Sequence, residues 1–146
     1  MNAEPNDWRI VSARNPETGE GAVFRVRFSK PARPDVPSLV WAIVIHWPYE
    51  SDRPMPPADV NEAQLKFEAA LDPLASSSHS ELVHVSTGMG LKEWIFYART
   101  RETFIDELNA LLAGHPRYPI EIEFVEDPAW KLWEDMVKDL RGPASA

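Results

Sequence analysis

Apolar residues alternate with polar ones over residues 22–29, "AVFRVRFS". Phe24, Val26 and Phe28 turn one way and Val23, Arg25 and Arg27 the other, the period of a half-buried strand. Residues 8–13, "WRIVSA", predict a partner strand, and the turn-rich "RNPETGEG" between them predicts a hairpin. "KPARPDVP", 30–37, is a proline-stiffened connector. Residues 38–47, "SLVWAIVIHW", are apolar on both faces, which predicts a central strand covered from both sides.

Beyond "PYESDRPMPP" the period becomes helical. Asp59 and Glu62 have the spacing of a capping box, Val60, Phe67, Leu71 and Leu74 form the apolar stripe, and Pro73 marks the end. "ASSSHS" is a loop, and "ELVHVS" with "KEWIFYA" forms a hairpin about "TGMG". Thr100 caps a second helix carrying Phe104, Leu108, Leu111 and Leu112, closed by Gly114. In "YPIEIEFV", 118–125, Ile120, Ile122 and Phe124 point inward and Glu121 and Glu123 outward. Asp127 and Pro128 make an N-cap and N1 pair for a third helix with Trp130, Trp133, Val137 and Leu140 on one stripe. "GPASA" is a frayed tail.

From residue 38 the order strand, helix, strand, strand, helix, strand is the split βαβ plan. The expectation is an α+β protein forming a single domain over 1–146. Its ferredoxin-like core (βαββαβ) spans 38–125, extended by an N-terminal β-hairpin at 8–29 and a C-terminal helix at 128–140. Strands 38–47 and 91–98 take the middle of the core and 118–125 an edge. A bare apolar sheet face is unusual on a monomer, so the hairpin, the last helix or a second copy in a homodimer is expected to cover it.

Composition narrows the function classes. The 146 residues can bury about 68–70% of the unfolded chain's surface without staples. Without cysteine there is no disulfide, thiolate nucleophile or Cys-based zinc site. A net charge of −8, from 23 acidic and 15 basic residues, repels phosphate backbones and argues against nucleic acid as a partner. "MNAEPNDWRI" lacks the basic and apolar regions of a signal peptide, and the apolar run "SLVWAIVI" is far short of the ~20 residues of a membrane span. A cytoplasmic protein with no membrane contact is expected.

Candidate chemistry is sparse. No pair among His46, His79, His84 and His115 has the i, i+4 spacing of a helical metal site, so no metal ligand and no cofactor is assigned. His115 follows Gly114 at a helix end, where a cation suits the dipole. "SSSHS" sets serines beside His79, but a nucleophile and its base meet in space rather than as sequence neighbours. "STGMG" lacks the pattern of a phosphate loop. Glu121 and Glu123 have the look of paired carboxylates, yet outward charges on an edge strand oppose aggregation, which is the simpler reading. Arg25 and Arg27 suit carboxylates across a sheet. No catalytic residue is assigned.

The aromatics say more. Most of the six tryptophans suit a core, while Trp47, Tyr49 and Tyr97 with Arg99 are the first candidates for a recognition patch. "KEWIFYAR", 92–99, and "RYPIEIEFVEDPAW", 117–130, resemble domain-of-unknown-function family 695, an uncharacterised bacterial group, over residues 38–135. The resemblance implies no catalytic residues. Similar domains occur beside a module related to the protein regulator B of ribonuclease E, which implies a regulatory, protein-binding role. The leading expectation is therefore a non-enzymatic binding module with another protein as partner. The alternatives are a small-molecule binder or weak hydrolase with a cleft near His46, Tyr49 and His84, and an acidic immunity-type protein.

Overall fold

A computed structural model describes residues 7–14 and 21–141. The expected turn at 15–20, the tail at 142–146 and the first six residues lie outside them. Six strands, β1 (Trp8–Arg14), β2 (Gly21–Arg27), β3 (Trp41–Pro48), β4 (Ser80–Gly88), β5 (Leu91–Ala98) and β6 (Glu121–Glu126), form one sheet in the order β1-β2-β4-β5-β3-β6. Every neighbouring pair is antiparallel. One row of directly opposed residues crosses all six strands: Ile10, Arg25, Val85, Trp94, Ile45 and Ile122. The register slips once, at Val83 between Leu82 and His84. Such a bulge bends a strand and increases its twist.

The opening proline-rich connector ends in a 3₁₀ turn, Val36–Ser38, so β3 begins at Trp41 rather than at 38. Among the described residues there are four α-helices instead of three: α1 (Ala58–Ala70), α2 (Asp72–Ala75), α3 (Arg101–Leu111) and α4 (Lys131–Arg141). The expected capping box does not form. Pro57 is the N-cap of α1 and offers no side-chain bond, while Asp59 sits inside the first turn. There its charge still suits the positive end of the helix. Pro73 opens α2 rather than closing a longer helix, because proline lacks the N–H that the first turn leaves unused. Thr100 caps α3 as expected, accepting the Thr103 N–H at 3.1 Å.

The sheet is covered on both faces, which is why β3 and β5 carry large apolar residues in succession. Ile43, Ile45, Trp47, Trp94 and Phe96 pack with Phe67 and Leu71 of α1, Leu74 of α2, and Phe104 and Leu108 of α3. Ala42, Val44, Ile95 and Tyr97 pack on the other face with Trp130, Trp133 and Val137. The C-terminal helix is thus one answer to what covers the second face. It starts three residues later than Pro128. Asp127 caps it from a distance, its carboxylate accepting the Lys131 and Leu132 N–H groups at 2.9 Å each. The chain turns into the helix through Trp130 at φ 58°, a left-handed conformation that disfavours large side chains. The buried indole holds it there by donating to Leu39 O at 2.8 Å and stacking on Tyr97 at 4.1 Å.

Candidate functional site

The four residues expected to form a recognition patch do not share a surface. Trp47 is buried on the α1 face, against Phe67, Trp94 and Tyr118. Tyr97 is buried on the opposite face. Tyr49 is buried and donates to Pro54 O, with burial raising its pKa; Arg99 is exposed and donates to Ser78 O at 3.3 Å. Strand alternation is the physical reason. Residues 47 and 97 sit on strands where parity sends them to opposite sides of the sheet.

His46, Tyr49 and His84 do not converge on a cleft either. His46 is half-buried and clamped, its Nδ1 2.8 Å from Glu93 and its Nε2 3.2 Å from Glu123. His84 is 2% exposed, beside Phe24, and burial pushes its pKa down to about 4. It is therefore neutral near pH 7, and its Nδ1 is buried without a partner. Among the described residues, no group of three or more His, Asp or Glu is arranged to hold a metal ion. None of the described helices is long and apolar enough to cross a membrane.

What the structure builds instead is a cleft of about 420 Å³ on the α1 face, between the β1–β2 hairpin and the α1–α2 wall. Its size lies in the range of ligand pockets. Trp94, Phe96 and Leu82 floor it, Leu65 and Leu71 form one wall, and Trp8 closes the hairpin end. On this face α1 and α2 pack over the middle strands, and the cleft opens between them and the hairpin. At the mouth, the Arg25 guanidinium meets Glu68 of α1 at 2.6 Å, and the Trp94 indole N–H donates to the other Glu68 oxygen at 3.0 Å.

The Arg25 side chain is 43% exposed and uses one nitrogen in this pair. A guanidinium has five donors, so the remainder faces the opening. Lys92 lies deeper: its ammonium donates to Thr87 at 2.8 Å and sits 5.6 Å from the Trp94 ring centroid. Burial lowers its pKa, opposed by the charge of Glu68. It is enclosed and does not line the cleft, so it serves as a satisfied buried cation rather than a nucleophile. The cleft thus offers an apolar floor and one aimed cation at its mouth. It contains no nucleophile paired with a base, the arrangement that covalent hydrolysis needs.

The sequence gives Arg25 a strand position but not a helical partner 43 residues away. Only the tertiary fold unites it with Glu68 and Trp94.

These features define an α+β protein with a cleft beside a strand, β1, that among the described residues pairs on one side only. The match to a family model described as a family of unknown function, DUF695, spans residues 6–137, and the chain belongs to that family. No curated protein and no solved structure matches the chain.

Proposed function

We propose that this chain is a non-catalytic binding module that takes an extended segment of a protein partner along β1, with side chains lodged in the adjoining cleft. The observation that carries the reading is the cleft's position. It opens beside an edge strand that, among the described residues, pairs only with β2. A segment added to such an edge gains main-chain hydrogen bonds, and alternate side chains fall on each face. Those on the α1 face meet Trp8, Ile10 and Arg25. Ile10 is 74% exposed, large for an apolar side chain in mid-strand. Along β1, Arg9 and Arg14 are exposed, Arg9 lying 3.0 Å from Asp7, and Arg25 is part-exposed beside Glu68, in a chain of net charge −8. The favoured ligand therefore alternates apolar with acidic residues.

The order β4-β5-β3-β6, with each long crossover skipping one strand, supports reading residues 38–126 as a ferredoxin-like core. On that reading β1 and β2 are an added hairpin that supplies the binding edge. The protein acts as one domain.

The test is titration of the full chain with short peptides alternating apolar residues with Glu or with Lys, read by the fluorescence of the tryptophans at the cleft. Saturable binding of the acidic series, weakened by Arg25→Glu and by Ile10→Lys, is the expected result. Equal binding of both series, or of neither, refutes the proposal.

A further inference from the structure

The strand at the far edge of this sheet has the pattern that the β1 edge favours. β6 reads "EIEFVE", with Ile122 and Phe124 packed toward the helical core and Glu121 and Glu123 exposed. We propose that the partner of β1 is β6 of a second copy of this chain, joined head to tail. This rests on the binding reading given above, and it names the partner.

The backbone of a six-stranded antiparallel sheet permits this pairing. The sheet has six strands of alternating direction, so a copy set beside it in the same orientation meets β6 antiparallel to β1. The hydrogen-bonding parity also matches. Phe28 N donates to Asp7 O at 3.0 Å, and Asp127 N donates to Val40 O at 2.7 Å. Bonded pairs alternate along an antiparallel ladder. On β1 the odd-numbered residues therefore bond inward to β2, and Trp8 and Ile10 present N–H and C=O outward. On β6 the odd-numbered residues bond inward to β3, and Ile122 and Phe124 present theirs outward. Finally, the row that starts at Ile10 ends at Ile122, so continuing it without any slide opposes Ile122 to Ile10.

That register makes Phe124 face Trp8 and Glu123 face Arg9. The first two pairs fall on the helical face and set apolar against apolar; on the other face Glu123, which lies 3.2 Å from His46, meets Arg9, which lies 3.0 Å from Asp7, and Glu121 meets Val11. Pairing of two β6 strands is disfavoured, because it opposes glutamates. The contact is heterologous, so each added copy leaves one β1 and one β6 edge free, and growth closes into a ring or continues as a filament. Few residues pair, which makes the contact weak and concentration-dependent.

The test is sedimentation velocity on the full chain from about 1 µM to about 1 mM, at low and high salt. It is run with Arg9→Glu, Glu123→Arg and the double variant, and with a peptide of residues 119–127 added. Circular dichroism confirms that these exposed substitutions leave the fold intact. The expected result is a mass that rises with concentration and falls with salt. Each single reversal weakens association roughly five- to tenfold, the double variant recovers it, and the peptide dissolves the assemblies. Association indifferent to both reversals overturns the proposal. A monomer at every concentration overturns it too. If that monomer still binds the alternating acidic peptides, the binding reading stands and only the choice of partner falls. If it binds none, both fall.

Discussion

Replacing Tyr97 with Phe removes one oxygen from the most enclosed polar cluster on the α4 face. The hydroxyl donates to Asp127 Oδ2 at 2.6 Å and accepts the Trp133 N–H at 3.2 Å. Phe keeps the ring and its stack on Trp130, 4.1 Å away and tilted by 10°, so the packing term is nearly unchanged. A hydrogen bond to a charged acceptor is worth about 1.5–3 kcal/mol, and an N–H left unpaired in a buried site costs about 1–3 kcal/mol. The two share one cluster and do not add in full, so the expected loss is about 2–4 kcal/mol.

The same variant carries a pH signature. Burial raises the Asp127 carboxyl, but the bonds from Tyr97 and from the Leu132 and Lys131 N–H groups together hold it below the ordinary 3.8. A folded value below the unfolded one means stability that is present above the unfolded value and lost as pH falls through the folded one. Without the Tyr97 donor the folded value moves back up, so the variant has less of this stability to lose. Urea denaturation followed by tryptophan fluorescence, at neutral pH and in acid, measures both effects. The gap between wild type and variant narrows in acid. A loss under about 0.5 kcal/mol, or a gap that stays constant into acid, refutes the assigned network.

Other outcomes follow from single positions. Gln64 is fully buried with both side-chain polar atoms unpartnered, so Gln64→Leu stabilises the fold by about 1–3 kcal/mol in urea, and a destabilised variant contradicts this. His84 titrates near 4 when folded against 6.5 when unfolded. The unfolded chain therefore binds the proton first, and stability present above pH 6.5 is lost as pH falls toward 4, by about 3 kcal/mol in all. His84→Leu flattens that part of the stability–pH curve. A Cβ on Gly88 would lie 2.5 Å from Gly21 O and 2.6 Å from Ala22 Cα, both backbone atoms. Gly88→Ala thus forces β2 and β4 apart at the hairpin end, with an expected loss above about 2 kcal/mol by thermal or urea unfolding.

Much of the fold was legible in the sequence because it rests on short-range periods. The two-residue alternation of 22–29 and of 118–125 appears as β2 and β6, and the two-sided apolar run around Val44 appears as a strand covered on both faces. The errors were at element ends: β3 begins at Trp41 rather than 38, β6 at Glu121 rather than 118, α2 was missed, and at the other helices rival caps compete. Asp59 and Glu62 have the right spacing, but Pro56 and Pro57 move the helix start upstream of them. Asp127 was correctly seen as a cap, yet its carboxylate reaches N–H groups four and five residues on because Trp130 turns left-handed between them. The expected sites fared differently. Aromatic residues close in sequence, or on neighbouring strands, were grouped without knowledge of which sheet face each takes.

What the chain by itself determined is the six strands and the three longer helices, their apolar faces and the acidic balance. These depend on neighbours a few residues apart and on composition. What only the tertiary structure decided is everything that needs distant residues in one place. Arg25 of β2 and Trp94 of β5 meet on Glu68 of α1, residues far apart in the chain. The cleft exists because α1 and α2 face the β1–β2 hairpin across the sheet. β1 and β6 stand at opposite edges of one sheet because the strand order puts them there. Pairing partners are chosen by the burial of whole faces, a property of the assembled layers that no local window contains.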